Sequence, residues 1–207
     1  MDSFNGGFRC STPSPPTYGK ITTGGECFRL NLSLDTEKPR IEKLKQEHNL
    51  SNFDCGIDPI NHFLQRFAWQ NQKSDSSQTY IALIGDVVIG YYTLTVGEVS
   101  YGDAPERLKK GLARYPIPVI ILARLAINRN FQGQRLGQGL LVDAMRRTLQ
   151  VSDIAGIRAI VVHAKDDKAQ ALYQHFGFEP FIDESLILYR LLKDIRFMLA
   201  SASGLSK

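Results

Sequence analysis

The sequence predicts a mixed α/β domain built around a single crossover unit, and three observations predict it. Two β-rich runs, Gln78–Ile84 and Val87–Leu94, flank Gly85-Asp86, a tight-turn pair that marks an antiparallel hairpin. The run Val119–Ile127 is apolar almost throughout, as in a strand covered on both faces. An amphipathic helical pattern then leads into a second apolar run, Arg158–His163, which is the order of a strand–helix–strand crossover.

Taken in chain order, the first 40 residues sustain neither a helical nor a strand period. Ser11–Pro16 alternates Ser, Thr and Pro, and Gly24-Gly25 follows, so residues 1–40 read as a disordered N-terminal extension. Within it only Phe28, Leu30, Leu32 and Leu34 alternate like a short strand. The folded domain is expected over residues 41–192. Asp58-Pro59 supplies a capping residue and a proline at the first helical position, and Ile60, Phe63, Leu64, Phe67 and Ala68 recur at helical spacing. Ala104–Leu112 reads as a short basic helix ending before Pro116-Ile117-Pro118. After the central strand, Leu136, Leu140, Leu141, Ala144, Met145 and Leu149 form one apolar stripe, while Asp143, Arg146, Arg147 and Gln150 face away. Gly156 marks a stop. Asp166 and Asp167 cap a second helix that Gly177 ends, and Phe178–Ile182 and Leu186–Leu191 read as the last strands. Residues 193–207 are expected to be an appendage.

Composition narrows the function classes. At 207 residues, with 43% hydrophobic and 22% charged, the chain has the make-up of a globular protein. Its longest apolar runs, such as Val119–Ala123, fall far short of the ~18 residues that a membrane helix needs, so no membrane partner is expected. Cys10, Cys27 and Cys55 are odd in number and lack ligand spacing, which argues against a disulfide scaffold and against a metal site. His163 and His175 read as structural for the same reason. Cys55, near a helix start, is expected to be somewhat acidified. The N-terminus opens with an acid and has no apolar signal stretch, so the expected compartment is the cytoplasm. A net charge of +4 permits a polyanionic partner.

Chemistry concentrates between the central strand and the helix that follows. Gln132, Gly133, Gln134, Arg135, Leu136, Gly137 and Gln138 occupy a strand–turn–helix N-terminus, where unpaired N–H groups and the helix dipole favour an anion. Small residues at 133 and 137 let a phosphate approach the backbone. A dinucleotide fold is disfavoured, because Val142 stands at the third glycine's place and His163 near the next strand's end. A nucleoside triphosphatase is excluded, because no Gly-Lys-Ser/Thr follows. A pyrophosphate such as that of coenzyme A remains.

Gln132–Gly137 resembles the signature of the GNAT superfamily of acetyl-CoA-dependent N-acetyltransferases: Gln or Arg, two residues, Gly, one residue, Gly or Ala. Arg135 departs from it by standing where the middle glycine usually is. More closely, Pro116–Ala126, Phe53-Asp54-Cys55, Ala159–Ala164 and Ala169–Pro180 are similar to blocks of the GNAT toxins of bacterial toxin–antitoxin modules. The resemblance implies the GNAT fold, of the α/β (α+β) class, with a central mixed, mostly antiparallel sheet and helices on both faces. It implies acetyl-CoA as cosubstrate, held by residues 132–138 and by the backbone of Leu125, Ala126 and Ile127. It also implies that Tyr173 protonates the departing thiolate. A phenol with an ordinary pKa near 10 is protonated at neutral pH and can donate.

Such toxins acetylate the α-amine of aminoacyl-tRNA and thereby block translation. An α-amine is chemically congenial: about a third is neutral near pH 7.5, against ~0.1% of a lysine amine. An RNA partner needs a basic surface. Arg107, Lys109, Lys110 and Arg114 cluster before the central strand, and Arg146 and Arg147 lie on the crossover helix. The resemblance further implies a ribbon-helix-helix antitoxin and a homodimer. Two other readings stay open at this point: an acetyltransferase acting on a protein or small-molecule amine, and an inactive module binding coenzyme A or nucleic acid.

Overall fold

A computed structural model describes residues 38–202. Almost all of the expected N-terminal extension, including the Phe28–Leu34 alternation, lies outside the described residues. A seven-stranded sheet runs in the order β1-β2-β3-β4-β5-β7-β6. Its strands are β1 (Arg40–Lys43), β2 (Gln78–Ile84), β3 (Val87–Val99), β4 (Ile117–Ile127), β5 (Ala159–His163), β6 (Glu179–Pro180) and β7 (Ile187–Leu191). β4 and β5 pair in parallel and every other pair is antiparallel.

Alternation along the strands sorts the core into two layers. On one face Tyr92, Leu94, Ile120, Leu122, Ile160, Val162 and Leu188 meet Leu140, Leu141, Ala144 and Met145 of the crossover helix α4 (Leu136–Ser152). Each fully buried aliphatic side chain of this kind contributes about 1.5–3 kcal/mol. On the opposite face Ile81, Leu83, Tyr91 and Ala126 are covered by Phe63, Leu64 and Ala68. Those residues belong to a helical segment formed by α1 (Asp58–His62), a π-helical turn (Phe63–Phe67) and α2 (Ala68–Lys73). Further along this face, Leu108 of α3 (Glu106–Lys109) packs with Ile117, Val119, Val161 and Leu191.

The structure differs from the sequence expectations at element ends. β3 runs on to Val99 and β4 starts at Ile117, because residues 94–99 pair with 117–122 across a register shift at Thr93/Leu94. α3 is one turn rather than the expected span 104–112, and β6 is a two-residue strand. Residues 193–202, expected as the start of an appendage, belong to α6 (Leu192–Ala202). Leu192 and Ile195 are buried in the main core, so apolar burial ties this helix to the domain.

Candidate active site

The parallel pair supplies the opening. β5 accompanies β4 only from Val119 to Leu122, opposite Ala159 to Val162. β4 continues to Ile127, with Leu125, Ala126 and Ile127 opposite Tyr92, Tyr91 and Gly90 of β3. The edge of β4 that β5 covers is therefore uncovered over the three residues expected to bind the cosubstrate's arm.

The loop that follows is fastened from below. Asn128 N–H donates to the Ile89 carbonyl at 2.8 Å, and its side chain caps a short 3-10 turn, Arg129–Phe131. The Gln132 side chain donates to the carbonyls of Cys55 and Ile127, at 3.1 and 3.0 Å. This amide thus holds the loop to the segment before α1. Two residues then turn left-handed, Gly133 at φ +81° and Arg135 at φ +60°. Arg135 thus takes a left-handed conformation that L residues rarely adopt, at a cost of about 1–2 kcal/mol. Gln134 and Arg135 are exposed, while Leu136, Gly137 and Gln138 are half-buried at the start of α4. No side chain caps this helix; its first-turn N–H groups have no intrahelical acceptor, apart from a tightened Gln138 N–H to Arg135 carbonyl bond of 3.1 Å. These donors and the dipole behind them suit a diphosphate.

A polar cluster braces the same loop. The Asp54 carboxylate accepts from Gly56 N–H and from the Asn61 amide and pairs with Arg129 at 2.5 Å. Its pKa is held below the usual carboxylate value, chiefly by the Gly56 hydrogen bond and then by Asn61. Cys55 overturns an expectation: burial pushes its thiol up rather than down, so the nearby helix start does not acidify it.

Tyr173 lies in α5 (Asp167–His175), which Asp166 caps by accepting from Ala169 N–H at 2.8 Å. The helix closes with Phe178 N–H on the Tyr173 carbonyl, 3.1 Å, and Gly177 N–H on the Gln174 carbonyl, 2.8 Å, with Gly177 at φ +71°. This is a Schellman turn, and the apolar contact that accompanies such a turn is the Tyr173–Phe178 ring pair at 5.6 Å. Burial raises the Tyr173 hydroxyl to about 12. His163 and His175 are exposed, and no group of metal-ligating side chains occurs among the described residues.

The basic candidates divide. Arg107 is engaged by Glu179 and by Asp194, the latter at 2.9 Å. Lys109 pairs with Glu106 at 2.9 Å and sits over the Tyr101 ring. Arg147, expected to face away from the core beside Asp143, instead turns inward. It donates to Asp143 at 2.8 Å and stacks 4.0 Å over Tyr80, while Tyr92 donates to the same carboxylate at 2.5 Å. Lys110, Arg114 and Arg146 are exposed and have no ion pair among the described residues. Sequence reasoning missed Arg124, whose guanidinium lies 3.5 Å over the Phe63 ring, and Arg190, a cation inside the core. The alternation of β7 placed Arg190 on the buried face beside Leu188, and that was the available signal.

A mixed sheet whose two parallel strands part beside an uncapped helix N-terminus is an architecture suited to a phosphorylated ligand. Residues 75–180 match the family described as Acetyltransferase (GNAT) domain. The chain is 36% identical over 157 residues to the tRNA-acetylating toxin of Mycobacterium tuberculosis, covering 76% of this chain and 94% of that one. It is similar to the structure of AtaT complexed with acetyl-methionyl-tRNAfMet, with TM-score 0.73 and 29% identity over 78% of this chain and 99% of that one. It is also similar to a tyrosine-to-phenylalanine variant of AtaT bound to the C-terminus of the antitoxin AtaR and acetyl-CoA. That match has TM-score 0.67 and 29% identity, covering 79% of this chain and 99% of the other. The chain belongs to the GNAT acetyltransferases. No helix among the described residues is long and apolar enough to cross a membrane.

Proposed function

We propose that this protein is a toxin that transfers the acetyl group of acetyl-CoA to the α-amino group of aminoacyl-tRNA, and so stops translation. The observation that carries the reading is the likeness to a tRNA-acetylating toxin along 94% of that protein's length. The chemistry of the site agrees with it. Acetyl-CoA supplies the acetyl group as an activated thioester. The first turn of α4, with Gln134 and Arg135 beside it, holds the diphosphate, and the uncovered edge at Leu125–Ile127 hydrogen-bonds the arm. Gly133 and Gln132 shape the loop and Gly137 keeps it open to the phosphates. The acceptor nitrogen bonds to the acetyl carbon as the carbon–sulfur bond breaks. Tyr173 gives its phenolic proton to the sulfur, the surplus ammonium proton leaves to water, and the phenolate takes a proton back from solvent.

In the same reading the protein works in the cytoplasm as a homodimer and is neutralised by a ribbon-helix-helix antitoxin. The exposed Lys110, Arg114 and Arg146 are the best placed of the basic candidates to meet RNA phosphates. Incubation with labelled acetyl-CoA and total charged tRNA tests the function. Label released by mild alkali as N-acetyl amino acid is expected. Label on protein or on a small amine, with none on charged tRNA, would replace this acceptor with another.

A further inference from the structure

We propose that Arg190 is a positioning residue for Tyr173, holding the C-terminal turn of α5 so that the phenol keeps one orientation. The inference rests on the reading of Tyr173 as the proton donor. Tyr173 is the residue whose carbonyl closes the Schellman turn, accepting from Phe176 N–H at 3.0 Å and Phe178 N–H at 3.1 Å. The Phe176 carbonyl is one of the acceptors that a helix end leaves over, and Arg190 Nη1 donates to it. The guanidinium therefore sits against the negative end of the helix that carries Tyr173.

Packing alone does not call for a cation here. Arg190 is 8% exposed, with the Met198 and Met145 sulfurs 3.3 and 4.0 Å from Nη1. No carboxylate lies within ion-pair distance among the described residues, and Nε has no partner. Burying a charge so sparsely paired costs several kcal/mol, and leucine or methionine would fill the space without that cost. Gly177 is matched to it: an added Cβ would lie 3.2 Å from the guanidinium carbon, in a residue already at φ +71°. A side chain at 177 would thus push the guanidinium back by a few tenths of an ångström.

A mutant cycle on the full chain tests this, with acetyl transfer to charged tRNA as the assay and circular dichroism as the check on folding. Arg190→Met is expected to lower kcat by about 10–100-fold while KM for acetyl-CoA stays within about twofold. In a Tyr173→Phe background the same change is expected to alter kcat by less than about twofold, because residues acting as one unit are not additive. Arg190→Lys, which keeps a cationic donor, is expected to recover most of kcat. Should the Met variant not fold, Arg190→Gln, which is neutral and two bonds too short to keep the donation to the Phe176 carbonyl, takes its place in the cycle. Hydrogen exchange at Gly177 and Phe178 should quicken about tenfold in the Met or Gln variant, whatever the acceptor. A full kcat, a loss that multiplies with Tyr173→Phe, or unchanged exchange overturns the role of Arg190 and leaves Tyr173 standing. A Tyr173→Phe enzyme as fast as its parent instead overturns the reading of Tyr173, and this inference with it.

Discussion

Tyr173 shows how a residue's surroundings select its chemistry. Burial favours the neutral phenol, so Tyr173 keeps its proton far above neutrality, as the proposed role of proton donor requires. Tyr173→Phe keeps the packing against Phe178 and removes the proton, so kcat should fall by about 10²–10⁴-fold with little change in the melting temperature. A variant that melts early and acetylates normally would contradict this. The pH dependence has a definite sign. The folded value of about 12 lies above the ordinary 10, so the stability tied to the neutral phenol is complete below about pH 10 and is lost as pH climbs towards 12. Denaturant midpoints measured from pH 8 to 12 should decline less steeply above pH 10 in Tyr173→Phe than in its parent, and parallel curves would contradict the assignment. The loop makes a second case. Gly133 has open space around its Cα but sits at φ +81°, so Gly133→Ala should cost about 1–2 kcal/mol through the backbone alone and raise KM for acetyl-CoA. Gly133 was legible from its position before a helix. The left-handed Arg135 was not, because an arginine carries no signal for positive φ.

Elements were legible wherever periodicity was long. The hairpin, the central strand, α4 and α5 stand where the sequence put them, because each buries one face and the pattern of apolar residues records that burial. The misses have local causes. β1 is a four-residue edge strand with a half-exposed pattern, too short for alternation to declare itself. The π-helical turn at Phe63–Phe67 hides inside a helical repeat, since Phe63 and Leu64 stay buried on either count. α6 was recoverable: Leu192, Ile195, Met198 and Leu199 recur at helical spacing, but their distance from any motif made them look peripheral. The inward turn of Asp143 and Arg147 was hidden, because charged residues on a helix usually mark its wet face. Here they clasp α4 to the hairpin, with Tyr92 and Arg147 sharing one carboxylate and Tyr80 stacked on Tyr92 at 5.2 Å. Asp143→Ala strands the buried Tyr92 hydroxyl and should cost about 1–3 kcal/mol in urea unfolding. Adding Tyr92→Phe should recover part of that loss. A strictly additive double variant would mean that the two groups do not interact.

At the scale of the molecule, the basic residues proposed to meet RNA differ in whether the fold already pairs them. Of the six basic residues singled out in the sequence, Arg107, Lys109 and Arg147 each have a carboxylate partner, whereas Lys110, Arg114 and Arg146 have none among the described residues. A cation already neutralised by its own fold must break that pair before it meets a phosphate, so it displaces fewer counterions from the nucleic acid. If the free three are phosphate contacts, Arg114→Ala and Arg146→Ala should each weaken binding to charged tRNA. Each should also reduce the slope of log affinity against log salt by about 0.7–0.9. Arg107→Ala should leave that slope unchanged and lower stability instead, because Glu179 and Asp194 lose their shared partner between β6 and α6. KM for acetyl-CoA should be indifferent to all three changes, since none touches the first turn of α4. Filter binding across a salt series separates the two sets. A steeper loss for Arg107→Ala than for Arg114→Ala would move the RNA surface to the β6 side of the sheet.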